Sequence, residues 1–258
     1  LDNYKETEAM ILLLAVIFFA LILLVGGDRG VTSLIALCGN IMVLLVAVTA
    51  MASDVNPIGV TIFGSVLINC ITILHQNGKN KKSIAALLSV GFVMVFLLAV
   101  VFVISSLMHI NGLNEIELQS ELSLYYSYKI HVNMNLVCIS MIVLGLTGAV
   151  MDTAVAISSA IYEVYTHNAE LDHKELIQSG MFMGRDILSS TLNTLYFAYI
   201  GEALMLLLYL QKYKYSVMAV LNSKAFLQEF TCIIFSAIGC LIVIPVSAYV
   251  SAWIYKKW

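Results

Sequence analysis

Long stretches without a charged residue constrain this chain more than any other feature of its sequence. Residues 9–25 contain no charged side chain, and comparable apolar runs recur along the 258 residues. A helix needs about 20 predominantly apolar residues to cross the hydrocarbon core of a bilayer. Backbone N–H and C=O groups inside that core must pair within the segment, so each run is predicted to be a helix.

The composition indicates the same class of protein. Hydrophobic residues make up 61% of the chain and charged residues 11%, whereas an average soluble domain is about 25% charged. The formal net charge of −3 excludes a strongly basic nucleic-acid-binding protein. We therefore expect an all-α, polytopic transmembrane bundle in contact with the lipid bilayer, with residues 1–258 forming a single integral membrane domain.

Seven spans are predicted, and most of the turns between them are short. Their approximate bounds are 9–25, 31–52, 57–74, 83–107, 133–164, 187–209 and 226–254. Residues 169–180 predict a short amphipathic helix on the cytoplasmic face. Asp172 would be its N-cap, with Glu175 in the position that completes a capping box.

The distribution of basic residues predicts the orientation. Placing the turn with Lys79, Lys81 and Lys82 in the cytoplasm puts eight of the 13 Lys and Arg residues inside, in line with the positive-inside rule. The N-terminus is then outside and the C-terminus inside. The lysines of segment 211–225 fall outside and argue against this orientation.

Asp152 is the strongest candidate for a functional residue, because burying an ionisable side chain inside a span is costly. Helical spacing places it on one face with Gly145, Gly148, Ser159 and Glu163. The two glycines are predicted to let another helix approach closely. We expect this stripe to face protein or water and to form part of an ion or substrate pathway.

Other polar residues in the spans extend the predicted pathway. They are Asn69 in the third span and Arg185, Asp186, Asn193 and Glu202 in or beside the sixth. Each has an ordinary alternative. Asn69 and Asn193 can serve as interhelical hydrogen-bonding groups, the pair Arg185 and Asp186 can form a helix-start cap and local ion pair, and Glu202 lies near the outer end, where water can reach it.

No motif in the sequence indicates catalysis. H-E-x-x-H, the P-loop and G-x-G-x-x-G are all absent. The five cysteines lie in apolar runs without a C-x-x-C pair, which is typical of packing residues. We expect no enzyme activity, no bound metal and no cofactor.

Several stretches resemble the YibE/F family of bacterial multi-pass membrane proteins. The matching stretches are GGDRG at 26–30, GLTGAVMDTAVAI at 145–157, Glu163, SGMFMGRDI at 179–187, TLNTL at 191–195 and AYIG at 198–201. The resemblance implies a protein of the bacterial cytoplasmic membrane, often encoded beside a second family member. It also implies the shorter, F-type member, without the extracellular N-terminal region of the larger one. A sister YibE-like subunit is then the expected partner, and a homo-oligomer stays open.

Two functions from different classes fit these observations. The first is a subunit of a transporter or permease, driven by protons or cations through a polar pathway around Asp152. The second is a membrane scaffold or anchor that transports nothing and holds a partner complex. The family resemblance implies no established activity that would decide between them.

Overall fold

The computed structural model describes residues 2–107, 133–212 and 214–257. Those residues form helices and no strand, which confirms the predicted all-helical fold. The α-helices are α1 (Asp2–Ala52), α2 (Pro57–Cys70), α3 (Lys81–Leu107), α4 (Met134–His167), α5 (His173–Lys212), α6 (Val217–Leu221) and α7 (Lys224–Lys257).

Helix α1 has one break, at Gly27, whose φ of 51° and ψ of −136° are not helical. Glycine adopts a positive φ without the steric cost that a Cβ atom imposes. The apolar part, Ala9–Ala52, has 44 residues. As a straight helix it would be about 66 Å long, roughly twice the thickness of the hydrocarbon core. The predicted spans 9–25 and 31–52 therefore lie in one helical element, divided at Gly27.

Helix α2 begins as its sequence predicts, with Pro57 in the first turn and the Asn56 side-chain oxygen accepting from the Ile58 N–H at 3.0 Å. After Cys70 the chain continues as a π-helix, Ile71–Gln76. Hydrogen bonds tie this end of α2 to α1: Asn40 Nδ2 donates to Thr72 Oγ1 at 2.8 Å. A second bond, from Gln76 to Ser33, shows that the later half of α1 runs antiparallel to α2.

The core lies where α3, α4 and α7 meet, and Leu97, Val150 and Val243 are fully buried there. Helices α4 and α7 run parallel. Near their beginnings Gln228 Nε2 donates to Cys138 Sγ at 3.4 Å, and near their ends the hydroxyls of Ser158 and Ser247 are 3.0 Å apart.

Helix α5 runs antiparallel to α4 and α7 and packs on both of them. It begins at His173, so the interfacial helix predicted at 169–180 is not a separate element but the first part of a long helix. Leu176 is fully buried against α4 and α7, which explains why this segment does not lie free on the surface. Half of the predicted capping box is confirmed: the Asp172 N–H donates to Glu175 Oε2 at 2.7 Å.

Among the described residues, five helices are long and apolar enough to cross a membrane, or six if α5, which bends by 46° near Leu204, is counted as one span. This is fewer than the seven spans predicted. The difference lies in α1, where the break at Gly27 divides one element that the sequence predicts as two. The protein is membrane-embedded, and its helices alternate in direction across the bundle.

Candidate functional site

Asp152 lies near the middle of α4, 18 residues after Met134, which is about 27 Å along the helix axis. Its side chain is exposed, whereas the neighbouring residues Met151, Thr153 and Ala154 are buried. Within the described parts of the chain, Asp152 forms no hydrogen bond and no ion pair. A carboxylate is thus held at mid-span on the surface of the single chain.

The exposed side of α4 is the predicted stripe. Gly145, Gly148, Asp152 and Glu163 are all exposed, and Ser159 is half-buried. We call this set the α4 stripe. Gly148 and Asp152 face away from the buried contacts of α4, whereas Ser159 lines a small cavity with Ser83 and Ala86 of α3. That the stripe faces protein or water stays a prediction.

Two contacts give the register between α4 and the antiparallel α5. A methyl group placed on Gly184 would lie 3.6 Å from Ile157 Cδ1, and one placed on Gly145 would lie 3.9 Å from Tyr199 Oη. Moving toward the N-terminus of α4 therefore corresponds to moving toward the C-terminus of α5.

Asp152 is five residues before Ile157 on α4, and Ser190 is six residues after Gly184 on the antiparallel α5. Since Ile157 and Gly184 are in contact, Asp152 lies at about the level of Ser190. Ser190 is exposed, and so are Asn193 and Thr194 in the following turn. Helix α5 thus presents hydroxyl and amide groups at the depth of the α4 carboxylate. We call Ser190, Asn193 and Thr194 together with Asp186 the α5 polar face.

Asn69 reaches the same depth from α2 but is buried, with only 5% of its surface exposed. Its Oδ1 atom has no hydrogen-bond partner among the described residues. It lies one turn before Ile73, which packs in the core. Asn77 and Ser159 line one small cavity and therefore lie at the same level. Asn69 is eight residues before Asn77 and Asp152 is seven residues before Ser159, so Asn69 lies within about one turn of the level of Asp152.

The remaining predicted pathway residues lie farther away or are placed differently. Arg185 and Asp186 are exposed and lie 12 and 13 residues after the first residue of α5, so they do not cap a helix start. Within the described residues no salt bridge joins them. Glu163 lies at the end of the α4 stripe, 4.0 Å from His167 Nδ1. Glu202 is exposed in the last third of α5.

The closest helix contacts use other glycines than those predicted. No atom lies within 4 Å of a methyl group placed on Gly148, and Gly145 approaches only Tyr199. By contrast, a methyl group on Gly180 would lie 2.5 Å from Ile161 Cδ1, and one on Gly239 2.7 Å from Val150 Cγ2. Packing of Gly145 and Gly148 against a second chain remains a prediction.

Sequence reasoning missed a chain of hydroxyl groups between α4 and α7. Ser158 Oγ is 3.0 Å from Ser247 Oγ and accepts from Ser251 Oγ at 3.1 Å, and the Tyr255 hydroxyl donates to the Ser158 carbonyl at 2.8 Å. All four residues are almost completely buried. The available signal was the spacing of Ser247, Ser251 and Tyr255, each four residues apart on one face of α7.

The exposed carboxylate, hydroxyl and amide groups of the α4 stripe and the α5 polar face can form hydrogen bonds with a polar solute or ion. In the described part of the chain no group of three His, Cys, Asp or Glu residues is placed to hold a metal ion. The acidic residues of the α4 stripe and the α5 polar face are separated along their helices, and most are exposed.

Comparison with known proteins gives a family and no closer relative. No curated protein matches the chain, and no solved structure does. The family described as YibE/F-like protein matches residues 14–257, which is most of the chain. This chain is therefore a membrane protein that belongs to the YibE/F-like family.

Proposed function

We propose that this chain is the membrane-embedded subunit of a transporter or permease, with a polar pathway along the α4 stripe and the α5 polar face. One observation carries the proposal: Asp152 is an exposed, unpaired carboxylate at mid-span. An Asp at the centre of a membrane helix costs about 2.5–3.5 kcal/mol by insertion scales. Such a residue is retained where water, a partner or a transported species contacts it.

The polar surface extends beyond this single carboxylate. Ser190 and Asn193 lie at similar depth on the neighbouring helix, and the buried Asn69 oxygen approaches from α2. Lipid chains offer no hydrogen bonds to such groups. A second protein chain over this face would enclose them and complete a path, which fits the expected sister YibE-like subunit or a second copy of this chain.

The orientation proposed is N-terminus outside and C-terminus inside, in the bacterial cytoplasmic membrane. The helix directions support the cytoplasmic C-terminus, because they bring the Lys79–Lys82 turn to the same end as the last turn of α7. An N-terminus outside requires that the two halves of α1, before and after Gly27, each cross the membrane. At that end Lys256 Nζ donates to the Ala169 carbonyl at 3.1 Å. The basic residues there give this end the excess positive charge typical of the cytoplasmic side.

Flux through liposomes tests the proposal. The purified chain, alone and with its sister subunit, is reconstituted with a pH-sensitive dye inside the vesicles. We expect proton movement, or proton-coupled solute uptake, that Asp152→Asn abolishes and Asp152→Glu partly restores. Glu170→Gln is the matched control, because it removes the same charge from an exposed loop residue outside the spans.

Flux that is equal in the wild type, Asp152→Asn and Glu170→Gln would exclude a pathway through Asp152. If no preparation shows flux, the second function is favoured: a scaffold whose α4 stripe holds a partner helix. A further variant then tests the scaffold, because Gly148→Leu would weaken co-purification of the sister subunit. That scaffold is in turn excluded if the chain alone moves a solute.

A further inference from the structure

The segment between α5 and α7 exposes apolar side chains that the fold does not bury. In the short helix α6, Val217 is 77% exposed, Met218 70% and Leu221 49%, and no residue of the helix is buried. The turn is nevertheless ordered by a cap, since the Ser216 hydroxyl accepts from the Ala219 N–H at 3.2 Å. The apolar side chains are thus held outward on a defined turn.

The same segment is rich in positive charge. Between Glu202 and Glu229 the sequence contains Lys212, Lys214 and Lys224 and no acidic residue. Lys212 and Lys214 are exposed on either side of the end of α5. An anionic surface would therefore meet the two exposed lysines, Lys212 and Lys214.

The flanking helices fix the depth of this segment. Helices α5 and α7 both have the length and hydropathy of membrane spans and run in opposite directions. Their connection must therefore lie at the boundary between the bilayer and water. At that boundary apolar side chains can enter the acyl region while lysine side chains extend to the phosphate groups.

We propose that Lys212, Lys214 and the exposed side chains of α6 form a binding surface for anionic phospholipid headgroups. Val217, Met218 and Leu221 lie in the outer part of the acyl region, and Lys212 and Lys214 contact the phosphates. A lysine near an anionic membrane surface contributes enough free energy to change binding about fivefold. The surface is independent of the proposed pathway, since Asp152 lies at mid-span.

Lipid retention by the purified, full-length chain tests this surface. The protein in detergent is titrated with phosphatidylglycerol or phosphatidylcholine, and bound lipids are counted by native mass spectrometry. We expect a preference for phosphatidylglycerol that falls at least tenfold in Lys212→Gln/Lys214→Gln, at about fivefold for each lysine. Removing two lysines at the opposite end of the bundle, Lys79→Gln/Lys81→Gln, is the control with the same charge change.

A third variant separates a docked surface from simple charge attraction. Val217→Ser/Met218→Ser/Leu221→Ser keeps every lysine, and it should also lower phosphatidylglycerol retention because the apolar anchor is lost. Equal losses in the two lysine variants, or full retention in the serine variant, would overturn the proposal. Displacement of the lipid by millimolar inorganic phosphate would also overturn it, because the site would then bind free phosphate rather than a membrane lipid. Circular dichroism confirms that each variant keeps its helical content.

Discussion

Gly180 and Gly148 are helical glycines in opposite surroundings, and replacing each with alanine separates packing from helix propensity. A methyl group at Gly180 would lie 2.5 Å from Ile161 Cδ1 and 3.0 Å from Ala248 Cβ. The Ala248 Cβ atom cannot rotate away, so α5 and α7 must move apart. At Gly148 the methyl group meets no atom within 4 Å.

The expected magnitude follows from two terms. Alanine is about 1 kcal/mol more favourable than glycine inside a helix, and this gain applies to both variants. Forcing a methyl group into a packed contact costs about 1–3 kcal/mol. The shared gain cancels in the difference, so Gly180→Ala should be less stable than Gly148→Ala by about 1–3 kcal/mol.

The assay is reversible unfolding of the purified chain by sodium dodecyl sulfate in mixed micelles, followed by circular dichroism. The free energy of unfolding is compared for the wild type and the two variants under one lipid and detergent composition. Equal changes in both variants, or a more stable Gly180→Ala, would refute the close contact of α5 with α4 and α7. The Gly148→Ala variant should also keep its full helical content.

Two further outcomes are expected. Ser158→Ala removes two side-chain hydrogen bonds to serines of α7. At about 0.6 kcal/mol for each bond, the free energy of unfolding should fall by about 1.2 kcal/mol in the same assay. An unchanged free energy of unfolding would mean that the serine hydroxyls of α7 find other partners. In a chain without native cysteines, Ala219→Cys should react with an impermeant maleimide on intact cells and Lys79→Cys only after permeabilisation, whereas the reverse pattern would invert the proposed orientation.

Much of the fold follows from the sequence because membrane helices are set by local properties. Apolar length alone predicts α2, α3, α4 and α7, and their residues need only lipid or each other as neighbours. One half of the capping box at the start of α5 is also predicted correctly, because Asp172 and Glu175 are only three residues apart in the sequence. Such features depend on chain order and not on which helices become neighbours.

Features that depend on neighbouring helices could not be read from the sequence. Gly148 and Gly180 are both small residues in helices, and only the placement of Ile161 and Ala248 makes the second a contact. Helical spacing predicts that the stripe around Asp152 faces protein or water, and this stays a prediction because exposure of one chain does not distinguish these surroundings from lipid. Its partner cannot be identified from one chain, because the groups that would cover it belong to another molecule.

The parallel pairing of α4 with α7 has a consequence for biosynthesis. Ser158 and its partners Ser247, Ser251 and Tyr255 are separated by 89 to 97 residues. At 5–20 residues per second, a ribosome needs roughly 5 to 19 s to make the intervening chain. During that interval α4 is already in the membrane while these hydroxyl partners are missing. In that state the hydroxyl of α4 must be kept out of lipid by contact with the insertion machinery or with α5. Release of the chain before α7 is complete would leave α4 exposed to degradation.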